Sequence, residues 1–123
     1  MKLELFQIVD IYNSFAEIKK SNEMPFALAW QISDTLEPLK KHIERFNEER
    51  NKLIKQYGKE DKENNQFLVE AEKITEFTEK LNQVGKTEIE LKGIKKIKKD
   101  ELFNSNIKIN GAVNIEAIKV FIV

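Results

Sequence analysis

The chain holds one histidine, no cysteine and 21 acidic side chains, which narrows the chemistry open to it. His42 lies between Leu39 and Ile43 on a segment of helical period, with Lys41 and Glu44 around it. A metal site on one helical turn wants a second His or a carboxylate at i+4, but Phe46 stands there and Arg45 at i+3. His42 therefore reads as a surface or interface histidine, and no metal site is expected. The lack of Cys removes disulfides, thiolate nucleophiles and thiolate metal ligands together. Ser14, Ser21, Ser33 and Ser105 lack the strained turn and oxyanion-hole context that a serine nucleophile requires. Glu44, Glu48 and Glu49 stand among cations, with Glu48 and Lys52 spaced as an i,i+4 pair on a solvated helix face. Acid–base work needs carboxylates in a cleft that drives their pKa values apart, and no spacing here promises one. The four glycines form no GxGxxG or GxxxxGK phosphate loop. No catalytic residue and no cofactor is expected, and the chain reads as a non-enzyme.

Residues that act by binding are better represented. Lys92-Gly93-Ile94-Lys95-Lys96-Ile97-Lys98-Lys99 packs five lysines into eight residues. Lys92, Lys95, Lys96, Lys98 and Lys99 are the candidate nucleic-acid contacts, each phosphate engaged adding a salt-dependent share of affinity. Against that use, Asp100 and Glu101 follow at once, no aromatic residue interleaves and Arg is absent from the run. Ile94 and Ile97 punctuate it as core or sheet-face residues would. Trp30 and Arg50 belong to the residue types enriched at binding hot spots. Trp30 either packs against the first helix or anchors a partner. Arg50 sits on an apolar seam, where it either snorkels or pairs with a carboxylate across a helix interface. With Leu39, Ile43 and Phe46 of the same seam, these two residues form the candidate protein interface.

Hydrophobic periodicity supplies the elements that must position these residues. Leu5, Ile8, Val9, Tyr12, Phe15 and Ile18 predict a helix over about 5–20. A short strand at Lys2–Glu4 is weakly marked. From Phe26 to Tyr57 the apolar steps run 4, 4, 3, 4, 3, 4, 3 and 4 through Leu28, Ile32, Leu36, Leu39, Ile43, Phe46, Arg50, Leu53 and Tyr57. That is a heptad-like seam along a long helix. Pro38 predicts a kink or break near Asp34–Leu36, with Asp34 or Thr35 capping a second helix. Gly58 stands where a left-handed C-terminal cap belongs, and 59–65 reads as a polar loop. Gln66–Val69 and Thr87–Leu91 read as strands of one small sheet. Between them, Ala71, Ile74, Phe77, Leu81 and Val84 mark a helix ending at Gly85. One helical turn is expected at Asp100–Phe103, an extended piece at Asn106–Asn110, and a last short helix capped by Asn114.

Length and balance bound the whole. A chain of 123 residues with 41% apolar content suits one modest core and one domain. Its helical part spans about 5–57 and its mixed part about 66–123. Lys and Arg number 21 against 21 Asp and Glu, and the two halves are balanced separately, so no basic or acidic footprint marks the chain as a whole. No apolar run approaches a membrane span, and the N-terminus lacks signal-peptide features. A cytoplasmic protein with no membrane contact is expected. The fold class predicted is helix-dominated α+β: a long helical hairpin, a third helix and a small two- to three-stranded sheet.

The order of these elements resembles a group of small, functionally uncharacterised proteins encoded by phages and prophages of low-GC Gram-positive bacteria. The likeness rests on Ala27-Leu28-Ala29, Leu36-Glu37-Pro38-Leu39 and Phe46-Asn47-Glu48-Glu49-Arg50, closing in Leu53-Ile54-Lys55-Gln56-Tyr57-Gly58. Residues 92–113 fit it least. The resemblance implies a viral accessory role in the host cytoplasm, and no activity. A non-enzymatic protein that binds a host or phage protein is the first expectation, with a host-defence or replication component as the target. Self-association through the 36–57 helix is a variant of it, and weak nucleic-acid binding by the lysine cluster is the alternative.

Overall fold

The computed structural model describes residues 1–21, 24–103 and 111–123. Strand β1 (Lys2–Glu4) runs straight into helix α1 (Leu5–Lys19). The Glu4 backbone N–H donates to Gln7 Oε1 at 2.8 Å, half of the reciprocal cap that starts many helices. Leu5, Ile8, Phe15 and Ile18 are buried as their spacing predicts. Ile11 and Ser14 are buried too, because helices pack around α1 on several sides and cover more than one stripe.

Helix α2 (Phe26–Leu36), a 3₁₀ turn at Glu37–Leu39 and helix α3 (Lys40–Tyr57) form one helical path of 32 residues. Pro38 neither breaks the path nor moves a cap to Asp34 or Thr35. Leu36, Glu37, Leu39 and Lys40 all keep right-handed helical dihedrals, and the lost hydrogen bond is absorbed by tightening one turn. Pro38 lies in the first turn of that 3₁₀ segment, where a missing N–H costs least.

The first correction concerns Gly58, which is extended (φ −102°, ψ 163°) and opens strand β2 (Gly58–Asp61) instead of forming a left-handed cap. A side chain there would crowd the Ile54 carbonyl. The supposed loop 59–65 is thus half strand. It escapes pattern reading because Lys59-Glu60-Asp61 packs no face and shows no alternation. β2 pairs antiparallel with β3 (Gln66–Val69) in the register Gly58↔Val69 and Asp61↔Gln66. Asn65 takes φ 52° in the connecting turn, a conformation Asn tolerates.

The second correction is the sheet. After helix α4 (Ile74–Gly85), strand β4 (Glu88–Glu90) pairs antiparallel with β1, Leu3 opposite Ile89, and not with β3. Two separate two-stranded sheets replace the one expected. Helix α5 (Lys99–Phe103) and helix α6 (Ile115–Ile118) complete the chain, and the expected extended piece at 106–110 lies outside the described residues. Asn114 caps α6 as read: its side chain accepts from the Ala117 N–H at 3.2 Å. Its own N–H donates to buried Ser14 Oγ at 2.9 Å, tying α6 to α1.

The core draws on both parts of the chain: Ile8, Ile11, Phe15 and Ile18 meet Ile32 and Leu39, then Ile97, Leu102, Ile118 and Phe121. Burying each such side chain contributes about 1.5–3 kcal/mol before entropy is counted. The end of α3, the β2–β3 hairpin and α4 form an arm with almost no interior. In β2, β3 and α4 only Gly85 is buried, and Tyr57 ties the arm by donating to Glu76 Oε1 at 3.1 Å. The accessible surface of 8381 Å² accordingly exceeds the roughly 6,800 Å² expected for a compact chain of this mass.

Candidate functional site

Helix α2 turns Leu28, Ile32, Thr35 and Leu36 inward, which leaves the residues between them facing out. Phe26 and Trp30, one turn apart, are 77% and 61% exposed. Their rings meet at a centroid distance of 5.6 Å and a tilt of 54°. Trp30 therefore turns most of its surface to solvent. Beside the two rings runs a groove of about 380 Å³ lined by Lys19, Phe26, Ala29, Trp30, Ser33 and Asp34. Phe26, Ala29, Trp30 and Ser33 follow the i, i+3, i+4, i+7 spacing of a single helix stripe, the form of groove that accepts a neighbouring helix. On the other flank of α2 a smaller groove of about 240 Å³ is lined by Pro25, Ala27, Leu28, Gln31 and Glu101.

Two ammonium groups come to the rim of the first groove from different elements. Lys19, the last residue of α1, donates from Nζ to Ser33 Oγ at 2.8 Å. Lys95 approaches Asp34 Oδ2 at 3.8 Å while its side chain stays 75% exposed. Lys95 is held there by its backbone. Thr35, fully buried, offers one hydroxyl proton to two carbonyls, that of Lys95 at 2.6 Å and that of Gln31 at 3.0 Å. Farther along, Ile97 pairs with Ile122, with Ile97 N–H to Phe121 O and Val123 N–H to Ile97 O, both at 2.9 Å. Ile97 is fully buried and Ile94 half-buried, so Lys92, Lys95, Lys96, Lys98 and Lys99 project into solvent, as the punctuation of the run implies. Apart from the Lys95–Asp34 pair these five make no ion pair among the described residues. Gly93 adopts φ 68°, a turn that only a residue without Cβ takes freely.

The seam residues fare differently. Leu39 is fully buried and Phe46 6% exposed, set edge-on to Phe6 at 5.8 Å, while Ile43 is half-buried against the core. Leu39 and Phe46 serve the chain's own interior. Arg50 is exposed and makes no ion pair among the described residues. His42 is a further correction: it is only 7% exposed, and its buried Nδ1 has no hydrogen-bond partner among the described residues. Burial holds its pKa below the ordinary 6.5, and Lys41 and Arg45 push the same way. The seam spacing placed it just off the stripe, but α3 is covered over a wider arc there.

Sequence reading singled out Trp30, beside Phe26 on a second apolar flank, and the lysines, but not Lys19, Ser33 and Asp34. The i,i+4 spacing of Phe26 and Trp30 was the available signal for that flank. Nothing in the sequence placed residues 19 and 95 beside residues 33 and 34. A second exposed apolar group, Phe67, Leu68 and Ile74, lies on the arm. Among the described residues no cluster of three or more His, Asp or Glu could hold a metal ion, and no helix is long and apolar enough to cross a membrane. No protein-family model, characterised protein or solved structure matches this chain.

Proposed function

We infer that the protein works without catalysis, by binding another protein through the outward face of α2. The observation that supports this is the exposed Phe26–Trp30 pair. Two large rings held in water by a helix whose other face is anchored in the core lose contact area that a partner would restore, and aromatic anchors dominate binding energies. The viral accessory role implied by the resemblance belongs to the same proposal, with a host-defence or replication protein as the partner. Affinity capture from phage-infected low-GC Gram-positive cells, run in parallel with the wild-type chain and a Phe26→Ala, Trp30→Ala double variant, tests it. A protein recovered with the first and lost with the second supports the proposal; identical recoveries overturn it. The lysine run favours a second reading, nucleic-acid binding by Lys92, Lys95, Lys96, Lys98 and Lys99, because all five side chains are exposed. That reading requires binding that weakens steeply with salt and disappears when these lysines become Gln.

A further inference from the structure

We propose that the α2 groove takes an acidic amphipathic segment of its partner, an apolar side chain seated beside Phe26 and Trp30 and carboxylates on Lys19 and Lys95. This rests on α2 being the contact surface and adds the chemistry of what it contacts. The juxtaposition is tertiary: the end of α1 and the lysine run each bring one ammonium group to the same two residues, Ser33 and Asp34, one turn beyond Trp30.

Charge complementarity sets the sign of the partner. Lys19 is satisfied by a neutral hydroxyl and Lys95 only by a carboxylate 3.8 Å away, beyond direct hydrogen-bond length. Lys92, Lys96, Lys98 and Lys99 belong to the same run of sequence and make no ion pair among the described residues. Lys19 and Lys95 together outnumber Asp34 at this end of the groove, and their attraction for an approaching carboxylate strengthens as salt is lowered.

Shape and polarity separate a peptide from a nucleic acid. The two rings stand at 54° to each other and wall a groove along a helix stripe, which suits a side chain entering between ridges better than bases stacked in series. Asp34 lines that groove. Its carboxylate accepts a backbone N–H, which a peptide supplies and a sugar–phosphate backbone does not. The cations are all lysines, point charges without the planar fork that reads phosphates and bases.

The test is selection of peptides from a random displayed library on the immobilised full chain, followed by synthesis of those enriched. Trp30 is the only tryptophan, so its fluorescence reports the groove directly. The expected peptides carry Asp or Glu around an apolar residue and shift Trp30 emission to the blue. Their affinity falls at least about tenfold in Trp30→Ala and in Lys19→Glu, Lys95→Glu, a change of roughly one decade in Kd that titration resolves easily. All three positions are solvent-exposed, and circular dichroism verifies that each variant folds. Enriched peptides that depend on Trp30 but are neutral or basic would overturn the acidic assignment and leave α2 as the contact surface. Peptides indifferent to Trp30, or no enrichment, would overturn both. Oligothymidylate that quenches Trp30, with binding lost in the same variants, would transfer the site to single-stranded nucleic acid.

Discussion

The ring of Phe6 lies where the β-carbon of residue 85 would stand, so Gly85 is the glycine that lets α4 close on α1. Phe6 also meets Phe46 edge-on at 5.8 Å, and through this one ring α1, α3 and α4 are joined. Because the arm has almost no interior of its own, that junction is where it is fastened to the body.

Gly85→Ala is expected to destabilise the protein by about 1–3 kcal/mol, the usual cost of forcing a packed group aside. Phe6→Leu in the same chain should recover part of the loss, since the smaller side chain leaves room for the methyl group. Urea unfolding of both single variants and the double variant checks this. Additive losses would mean that the two residues do not compete for space.

Leu39 and Trp30 should behave as opposites. Leu39 is fully buried, and Leu39→Ala is expected to cost about 2–5 kcal/mol through lost contacts and the cavity left behind. Trp30→Ala should leave stability within about 0.5 kcal/mol, as surface substitutions do, while removing binding. A strongly destabilised Trp30→Ala would show that the indole serves the fold and not a partner.

Thr35→Val keeps the shape of the side chain and removes the hydroxyl that fastens the lysine segment to α2. The Lys95 carbonyl then loses its partner, at a cost of about 1–3 kcal/mol. Amide hydrogen exchange over residues 94–97 should accelerate more than exchange in α1. Uniform acceleration would mean global destabilisation only.

His42 gives the fold a pH dependence of definite sign. Burial depresses its folded-state pKa, so the unfolded chain binds the proton first. The stability contributed by neutral His42 is fully present above its ordinary value of 6.5 and is lost as the pH falls through the lower folded value. Between pH 7.5 and the onset of carboxylate titration, about pH 5, the wild type should lose more stability than His42→Leu. Parallel urea midpoints for the two chains would dispose of this.

Much of the architecture was legible because helices advertise themselves locally. The stripe from Leu5 to Ile18, the seam from Leu28 to Tyr57 and the cap at Asn114 needed only residues within a few turns of one another. The strand Lys59–Asp61 was illegible for the opposite reason: it buries neither face, so no periodicity was selected. The pairing of β4 with β1 was equally hidden, since Ile89 and Leu3 are neighbours across most of the chain.

The amino-acid sequence by itself determined the helix-dominated α+β class and the positions of most elements. Those follow from side-chain type and local spacing. Only the tertiary structure decided which apolar residues remain for a partner. It drew Leu39 and Phe46 into the core, left Phe26 and Trp30 in water, buried His42, and set Lys19 and Lys95 on either side of Ser33 and Asp34. The reason is physical: a helix has several faces, periodicity shows that one is apolar, and the packing of the other elements around it determines which surfaces stay open.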